Sequence, residues 1–319
     1  MKNREYHYKD ILLLPKFSEL NSRTEANTEI ELGRFKFKLP LVPSNMKTVV
    51  DENICKWLAS SGYFYIMHRF GIDNVAFARA MKDAGHYVSI SLGVNADSMK
   101  TAEELRNIGI APDFITIDIA HGHCMKMRSM LNVVKHYFPD CFVIAGNTCT
   151  AEGVSILEAW KADAVKIGIG PGSVCTTKLE TGFSRPQFSA VLACSEGAGV
   201  PIIADGGIEH NGDIAKALAA GATLVMAGRM LAGMDESPGQ WDASELHGNG
   251  LRVKEYYGSA SEHNKEAKRH IEGKKIFIER QGSIREKYEE ITQSLRSSIS
   301  YAGGKDVSAL AAVEWIVQT

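Results

Sequence analysis

Short apolar runs recur along the chain, each followed by a polar or glycine-containing turn and then by a helix-length amphipathic segment. Eight such runs are visible: Leu39–Pro43, Tyr63–Met67, Val88–Leu92, Phe114–Ile117, Phe142–Ala145, Ala164–Ile167, Ile202–Ala204 and Leu224–Ala227. Strands that are apolar on both faces must be covered on both sides, so their alternation with helices predicts a parallel sheet. Eight units predict an α/β fold of the (β/α)8 TIM barrel type, as a single catalytic domain over residues 1–319. A doubly wound open sheet is the alternative.

The segments between the runs have apolar residues at helical spacing, which predicts helices at Asp51–Ser61, Asn74–Ala84, Ser98–Ile108 and Gly212–Ala220. In such barrels, the chemistry is located at the carboxyl ends of the strands. The residues that follow the runs are therefore expected to meet at one mouth: Ser44-Asn45-Met46, His68-Arg69, Gly93, Asp118, Gly146-Asn147, Gly168–Thr177, Asp205-Gly206-Gly207 and Gly228-Arg229.

About 90 residues follow the eighth run, which is more than barrel closure requires. Within them, Gly258–Glu262 and the charged stretch His263–Glu272 have the composition of surface segments, and Gly273–Gly282 alternates like an exposed strand. One interpretation is a flap over the barrel mouth, and the other is a solvated tail with a hairpin.

The charge balance points to small-molecule partners. The chain has 36 Lys+Arg against 38 Asp+Glu and a formal net charge of −2, so it has no basic excess for nucleic acid or membrane surfaces. It has no apolar run of membrane-spanning length and no secretory signal pattern at Met1, which predicts a cytoplasmic protein. The six cysteines are scattered, and His121, His123 and Cys124 have no second cluster at zinc-finger spacing, so neither disulfides nor structural zinc is expected.

The segment Gly168–Thr177 carries the clearest chemical signal. Its glycines allow backbone N–H groups to point inward as an anion-binding nest, and Ser173 adds a hydroxyl donor. Cys175 closes this loop as a candidate nucleophile, which needs positive potential or a hydroxyl partner such as Thr176 or Thr177. The alternative is a buried structural cysteine beside a tight turn.

Two further loops complete a predicted phosphate pocket. Gly206-Gly207 and Gly228-Arg229 follow the last two strands, where barrel enzymes often bind phosphate. Asp205 is unsuited to phosphate, but its carboxylate can accept hydrogen bonds from ribose hydroxyls. Together these features predict a nucleotide ligand; for Asp205, a helix N-cap role is the alternative.

These motifs resemble the IMP dehydrogenase and GMP reductase superfamily. Gly168–Thr177 and Ala204–Ile208 carry the resemblance, Tyr8–Pro15 and Leu41–Met46 fit the superfamily's opening, and the similarity runs from about residue 6 to Gly304. Tyr65–Arg69 and Ile117–His123 resemble the bacterial GMP reductase branch. The chain has no room between Met46 and Tyr63 for the tandem regulatory insert of IMP dehydrogenases, and no Arg-Tyr pair between Ser259 and Gly282.

The resemblance implies NADPH-dependent reductive deamination of GMP to IMP and ammonia through a thioimidate on Cys175, with Thr177 and Glu272 relaying a proton. It assigns the nucleotide to Ser173, Asp205, Gly206, Gly207, Gly228, Arg229, Gly258, Ser259, Ala260, Arg269 and Gly273. It assigns the dinucleotide to Asp118, Ala120, His121 and Gly122, and a potassium ion (K+) to carbonyls of Gly170, Gly172 and Cys175. It also implies a homotetramer. The chain departs from the related reductases at Ser259–Ser261 and at Ile271, where they often have Met-Ser-Ser and serine.

Three other functions remain open at this point. The nearest is an IMP dehydrogenase without its insert, and another is a purine-nucleotide-binding barrel without turnover. A third is an aldolase or isomerase, which requires a Schiff-base lysine or a general-base pair at the mouth. Lys166 lies inside a predicted strand, but its neighbours in the sequence include no paired acid.

Overall fold

The computed structural model describes residues 4–242, 252–262 and 272–318. Its central sheet has seven parallel strands in the order β4-β10-β9-β8-β7-β6-β5. These are β4 (Leu41–Pro43), β5 (Ser89–Leu92), β6 (Phe114–Asp118), β7 (Phe142–Thr148), β8 (Ala164–Ile167), β9 (Ile202–Asp205) and β10 (Leu224–Ala227). The first of these strands pairs with the last, as in a closing barrel and unlike a doubly wound sheet.

Helices connect the strands and cover the outside of the sheet. They are α1 (Glu52–Ser61), α2 (Asn74–Asp83), α3 (Ala96–Asn107), α4 (Met125–Tyr137), α5 (Ala151–Ala159), α6 (Thr177–Glu180), α7 (Gln187–Ser195), α8 (Asn211–Ala219), α9 (Arg229–Ala232) and α10 (Ile284–Tyr301). Several helices have an N-cap side chain that accepts a hydrogen bond from a backbone N–H of the first turn; examples are Asp51, Asp73, Asn95 and Thr150. The four helices predicted from apolar spacing are confirmed within two residues at each end.

The second predicted strand is wrong as a strand. Phe64–Met67 is buried in the expected place and Tyr63 is partly buried, but the segment forms only a parallel bridge between Met67 and Ile90. Tyrosine hydroxyls replace the ladder there: the Tyr87 hydroxyl accepts from Tyr65 N–H (3.2 Å) and donates to the Tyr63 carbonyl (2.7 Å). Side chains therefore satisfy backbone groups that a strand would pair with its neighbour.

The core has two layers. One cluster lies between the sheet and the helices, and a smaller one fills the barrel interior with Val42, Ile66, Ile144, Ile203 and other inward side chains. An antiparallel hairpin, β2 (Ile30–Leu32) with β3 (Phe35–Phe37), packs into this interior cluster. The barrel is therefore a filled core, which leaves its other end for the site.

The C-terminal part adds a second hairpin and a terminal pairing. Strands β11 (Val253–Tyr257) and β12 (Lys275–Glu279) are antiparallel, and β13 (Trp315–Val317) pairs with β1 (Ile11–Leu13). Short 3-10 helices lie at Tyr8–Asp10, Arg23–Glu25 and Val307–Ala312. Among the described residues, no helix combines the length and apolar character needed to cross a membrane.

Candidate active site

The glycine-rich loop leaves β8 at a point with no room for a side chain. A Cβ on Gly168 would lie 2.1 Å from the carbonyl oxygen of Asp205, on the neighbouring strand. Gln187, fully buried at the start of α7, donates through Nε2 to the carbonyls of Ile167 (2.7 Å) and Asp205 (3.2 Å). The ends of β8 and β9 are thus held together, and this fixes where the loop begins.

Three side chains predicted to act together form a hydrogen-bonded chain. The Cys175 thiol donates to Thr177 Oγ1 (3.1 Å), and the Thr177 hydroxyl donates to Glu272 Oε2 (2.6 Å). Backbone bonds hold Glu272 in place, since its N–H donates to Ala260 and its carbonyl accepts from Thr176 N–H (2.9 Å). A proton can therefore pass between the sulfur atom and a carboxylate that lies 95 residues beyond Thr177 in the sequence.

The segment that carries Glu272 lies against the loop Gly168–Thr177, which contains the candidate catalytic Cys175. Gly273 bridges to both Cys175 and Ser261, and Lys274 N–H donates to the Val174 carbonyl (2.9 Å). The β11–β12 hairpin continues from these contacts. The described part of the tail thus takes the flap position and supplies one wall of the site.

A cavity beside Cys175 is lined by most of the residues predicted to hold a nucleotide. These are Ser173, Asp205, Gly206, Gly207, Gly228, Arg229, Gly258, Ser259 and Ala260. Gly206 (φ 91°) and Gly207 (φ 80°) take left-handed backbone conformations, which glycine adopts at little cost. Asp205 lies in β9 itself, whereas the N-cap of α8 is His210, so the alternative role of Asp205 as a helix cap is wrong. Gly273 does not line this cavity, and Arg269 lies outside the described residues.

Tyr256 is a cavity residue that no sequence pattern singles out. Its side chain is 3 % exposed and lines the same cavity as Ser173 and Arg229. Burial raises the pKa of Tyr256 far above its ordinary value, so the hydroxyl is a neutral donor. A Cβ on Gly228 would lie 2.6 Å from this hydroxyl, which explains the need for glycine there. Tyr256 precedes the predicted Gly258 motif in the tail, and no local pattern marks it.

A second cavity lies on the other side of Cys175 and shares Asp205 with the first. Asp118 and Ala120, two of the predicted dinucleotide contacts, line it with Thr177 and Arg69. The other two predicted contacts, His121 and Gly122, do not line either cavity. Gly122 instead packs on the β7 backbone, where its Cβ would lie 2.9 Å from the Gly146 carbonyl carbon.

The fold gives Lys166 two acid partners that its neighbours in the sequence do not supply. Its ammonium lies 2.7 Å from Asp205 Oδ2 and 3.2 Å from Asp118 Oδ1, and its side chain is 1 % exposed. Burial lowers the pKa of Lys166, but the two carboxylates outweigh burial and raise it. The lysine is therefore a paired ammonium and not the free amine that a Schiff-base enzyme needs. Its partners come from β6 and β9, so the neighbours of Lys166 in the sequence could not reveal them.

The carbonyls predicted to hold a monovalent cation lie in the same loop. Gly170 has a left-handed φ of 85°, and the Gly172 carbonyl accepts the Cys175 N–H (3.0 Å) while retaining a second lone pair. Three backbone oxygens on a glycine-rich turn are the donor type that potassium takes. The donor chemistry of the loop therefore fits such an ion.

Comparison with known proteins bears on this geometry. Residues 5–319 match the family model described as IMP dehydrogenase / GMP reductase domain. Proteins named GMP reductase from Albidiferax ferrireducens and Delftia acidovorans are 50 % and 49 % identical, over 98 % of this chain and 95 % of each relative. One from Lactococcus lactis subsp. lactis is 48 % identical over 99 % of this chain and 95 % of its own length. The chain belongs to the IMP dehydrogenase / GMP reductase family.

Proposed function

We propose that this chain is an enzyme that reduces GMP to IMP and ammonia with NADPH, as one catalytic unit without a regulatory insert. The relatives named GMP reductase support this assignment. The observation that carries this assignment is the series of hydrogen bonds from Cys175 through Thr177 to Glu272, which lies where the two cavities meet.

The first step uses the thiol as a nucleophile. The sulfur of Cys175 bonds to C2 of the purine after its proton has left through Thr177 to Glu272. The exocyclic amine then needs a proton, because an amine anion is a poor leaving group. The same hydroxyl and carboxylate return a proton to this amine, which leaves as ammonia. The chain of hydrogen bonds therefore serves as base and then as acid.

The resulting thioimidate needs a hydride at C2, next to Cys175; the C2–S bond then breaks, which releases IMP and returns the thiolate of Cys175. NADPH supplies a hydride when bound. The second cavity fits it because Asp118 and Ala120, the expected dinucleotide contacts, line the same cavity as Thr177. The task of the chain's residues is to orient the ligand and to exclude water, since water would hydrolyse the adduct. His121 and Gly122 belong to this proposal from the family resemblance alone.

The sugar-phosphate is held in the first cavity. Ser173, Tyr256, Arg229 and the backbone N–H group of Gly207 supply donors for the phosphate, and Asp205 accepts from the ribose; Gly206, whose N–H donates to the Met226 carbonyl, contributes its backbone turn. Carbonyls of Gly170, Gly172 and Cys175 would hold a potassium ion that stiffens the loop.

The family resemblance also supports a homotetramer in the cytoplasm. Leu179 and Phe183, next to the catalytic loop, are each 75 % exposed, which suits burial against another copy. Sedimentation velocity measures this assembly state directly.

One steady-state assay tests the reaction. Purified protein with GMP and NADPH is expected to consume NADPH absorbance and release one ammonia per NADPH, and to do so more slowly with NADH. Sodium in place of potassium tests the cation proposal in the same assay. No loss of NADPH with GMP, together with NADH formation from IMP and NAD+, would instead identify an IMP dehydrogenase. Tight GMP binding without either reaction would identify a non-catalytic barrel.

A further inference from the structure

Lys166 connects two carboxylates that lie in different halves of the site. Lys166 lies on β8. Asp205 is on the adjacent strand β9, whereas Asp118 is on β6, which is separated from β8 by β7. Gly146 on β7 makes this reach possible, since a Cβ there would lie 2.5 Å from Lys166 Cβ. The sheet therefore leaves a gap one side chain wide, and the lysine occupies it.

Two amides complete the arrangement. Asn45 Nδ2 donates to Asp118 Oδ2, and Asn147 Nδ2 donates to Asp205 Oδ2, each at 2.8 Å. Lys166 and Asn147 thus both bind Oδ2 of Asp205, and its other oxygen, Oδ1, has no hydrogen bond to the described part of the chain. Asp205 lines both cavities, the nucleotide cavity included, so Oδ1 is the acceptor that remains for a ligand there.

The ammonium compensates for burial of both anions. Burial alone would raise the pKa of Asp118, but the Lys166 charge and the Asn45 hydrogen bond outweigh burial and lower it. Without Lys166, two carboxylates would face the same vacated position at close range. Like charges in a poorly solvated interior repel strongly, so the carboxylates would rotate away or share a proton.

We propose that Lys166 is a positioning residue for ribose selection: it holds Asp205 with Oδ1 directed at the sugar and neutralises Asp118 in the dinucleotide half. This inference rests on the proposed function only in that the first cavity takes a purine ribonucleotide. It does not require turnover. Lys166 reaches the sugar through Asp205, so its effect is on discrimination between sugars.

The test compares binding of IMP with its 2′-deoxy and 3′-deoxy analogues by calorimetry, without dinucleotide. The wild-type chain is expected to prefer IMP over the analogue that lacks the hydroxyl bound by Asp205. Lys166→Met is expected to reduce this preference about tenfold, the typical effect of a hydrogen bond to a charged group. Lys135→Met is the matched control, because Lys135 pairs with Asp163 and lines neither cavity of the site. Its preference should equal that of the wild type.

A second variant separates charge from packing. Lys166→Met combined with Asp118→Asn removes one of the two unneutralised carboxylates, so part of the sugar preference should return. If Lys166→Met does not fold, the double variant still tests the inference, because it buries only one unpaired anion. Its preference for IMP over the deoxy analogue should then lie below the wild-type value. Recovery is a charge effect that a lost packing contact would not show.

Several results would overturn the inference. They are an unchanged preference in a folded Lys166→Met, equal weakening of all three nucleotides, no recovery in the double variant, or no sugar preference in the wild type. A wild-type chain that binds no purine nucleotide would instead refute the proposed function. A chain that selects ribose but does not reduce GMP would leave the Lys166 inference standing.

Discussion

Cys175 differs from the other buried or half-buried thiols in its surroundings. Burial raises the pKa of Cys55, Cys141 and Cys149, and raises that of Cys194 to about 12, which makes these thiols poor nucleophiles at neutral pH. Cys175 instead lines both cavities and donates to the Thr177 hydroxyl, which in turn donates a hydrogen bond to the Glu272 carboxylate. The residue type alone does not distinguish the reactive cysteine; its partners do.

Replacing Cys175 with alanine should abolish the covalent step. Cys175→Ala is expected to bind GMP normally, to form no adduct, and to lose turnover by on the order of 10³-fold or more. Mass spectrometry of acid-quenched reactions detects the adduct in the wild type. Cys149→Ala, which changes a half-buried thiol outside both cavities, should still form it. An adduct in Cys175→Ala would exclude this sulfur as the nucleophile.

Replacing Glu272 with glutamine should impair amine departure in particular. Glu272→Gln keeps the shape but cannot take up or return the proton, so turnover of GMP should fall by roughly 10²-fold to 10⁴-fold. Reduction of 2-chloroinosine monophosphate should fall less, because its chloride leaves without a proton and only the loss of the base for Cys175 remains. Stopped-flow comparison of the two substrates measures the difference. Equal losses for both would argue against a proton relay to the amine.

At the scale of elements, the junction between β8 and the catalytic loop depends on backbone contact. Gly168 touches the Asp205 carbonyl, and Gln187 ties the ends of β8 and β9 together from α7. These contacts orient the loop before any ligand binds. Pre-organisation of this kind lowers the cost of aligning nucleophile and substrate.

Adding one methyl group at this junction should separate the strands. Gly168→Ala is expected to lower both the melting temperature and GMP turnover, because its Cβ would lie 2.1 Å from a backbone oxygen that cannot move freely. The matched control is Gly212→Ala in α8, where a Cβ meets nothing within 4 Å and helix propensity favours alanine by up to about 1 kcal/mol. The control should be neutral or more stable, as thermal denaturation measures. Equal stability of the two variants would contradict the steric argument.

At the scale of the whole molecule, the site exists because the barrel gathers distant segments at one end. Asn45, Asp118, Lys166, Asp205 and Glu272 come from five segments and converge around two joined cavities. The hydrogen bonds and ion pairs between these polar groups are strong only when the closed barrel shields them from water. Their mutual contacts therefore depend on global folding.

The stability of the whole chain should depend on His68. Burial, reinforced by the charge of Lys47, lowers the pKa of His68 to about 4, and its Nδ1 accepts the Phe70 N–H (3.1 Å). Between pH 6.5 and about 4, the unfolded chain binds a proton here that the folded chain excludes. The free energy of unfolding should therefore decrease as the pH falls through this window, by about 3 kcal/mol from this residue.

Urea denaturation at several pH values measures this dependence. His68→Asn keeps an acceptor near the Nδ1 position but cannot be protonated, so its stability should change less between pH 6.5 and about 4. His136→Asn, at an exposed position on α4, should retain the wild-type dependence. An unaltered pH dependence in His68→Asn would show that other groups cause the acid sensitivity.

Local patterns were sufficient for the elements and the chemical type of the site. Seven of the eight predicted strands begin within two residues of the observed ones, and six of them also end within two residues; the loop of Cys175 lies at a strand end as predicted. The strand prediction for Tyr63–Met67 was wrong because an apolar pattern indicates burial only. The tyrosine hydroxyls that take the place of strand hydrogen bonds there are brought in by tertiary packing. The same limit applies to Tyr256, which no periodicity marks as a site residue.

Local patterns were enough to predict the fold class, the order of strands and helices, and the position of the glycine-rich loop with its thiol, because periodicity and residue type act over a few neighbouring positions. Only the folded chain shows that Lys166 is shared by Asp118 and Asp205 and that Asp205 Oδ1 has no hydrogen bond to the described residues, and it supplies the geometry of the Thr177–Glu272 contact that the family resemblance implied. These contacts join residues 39 to 95 positions apart. Their geometry follows from barrel register and closure, which single segments do not encode.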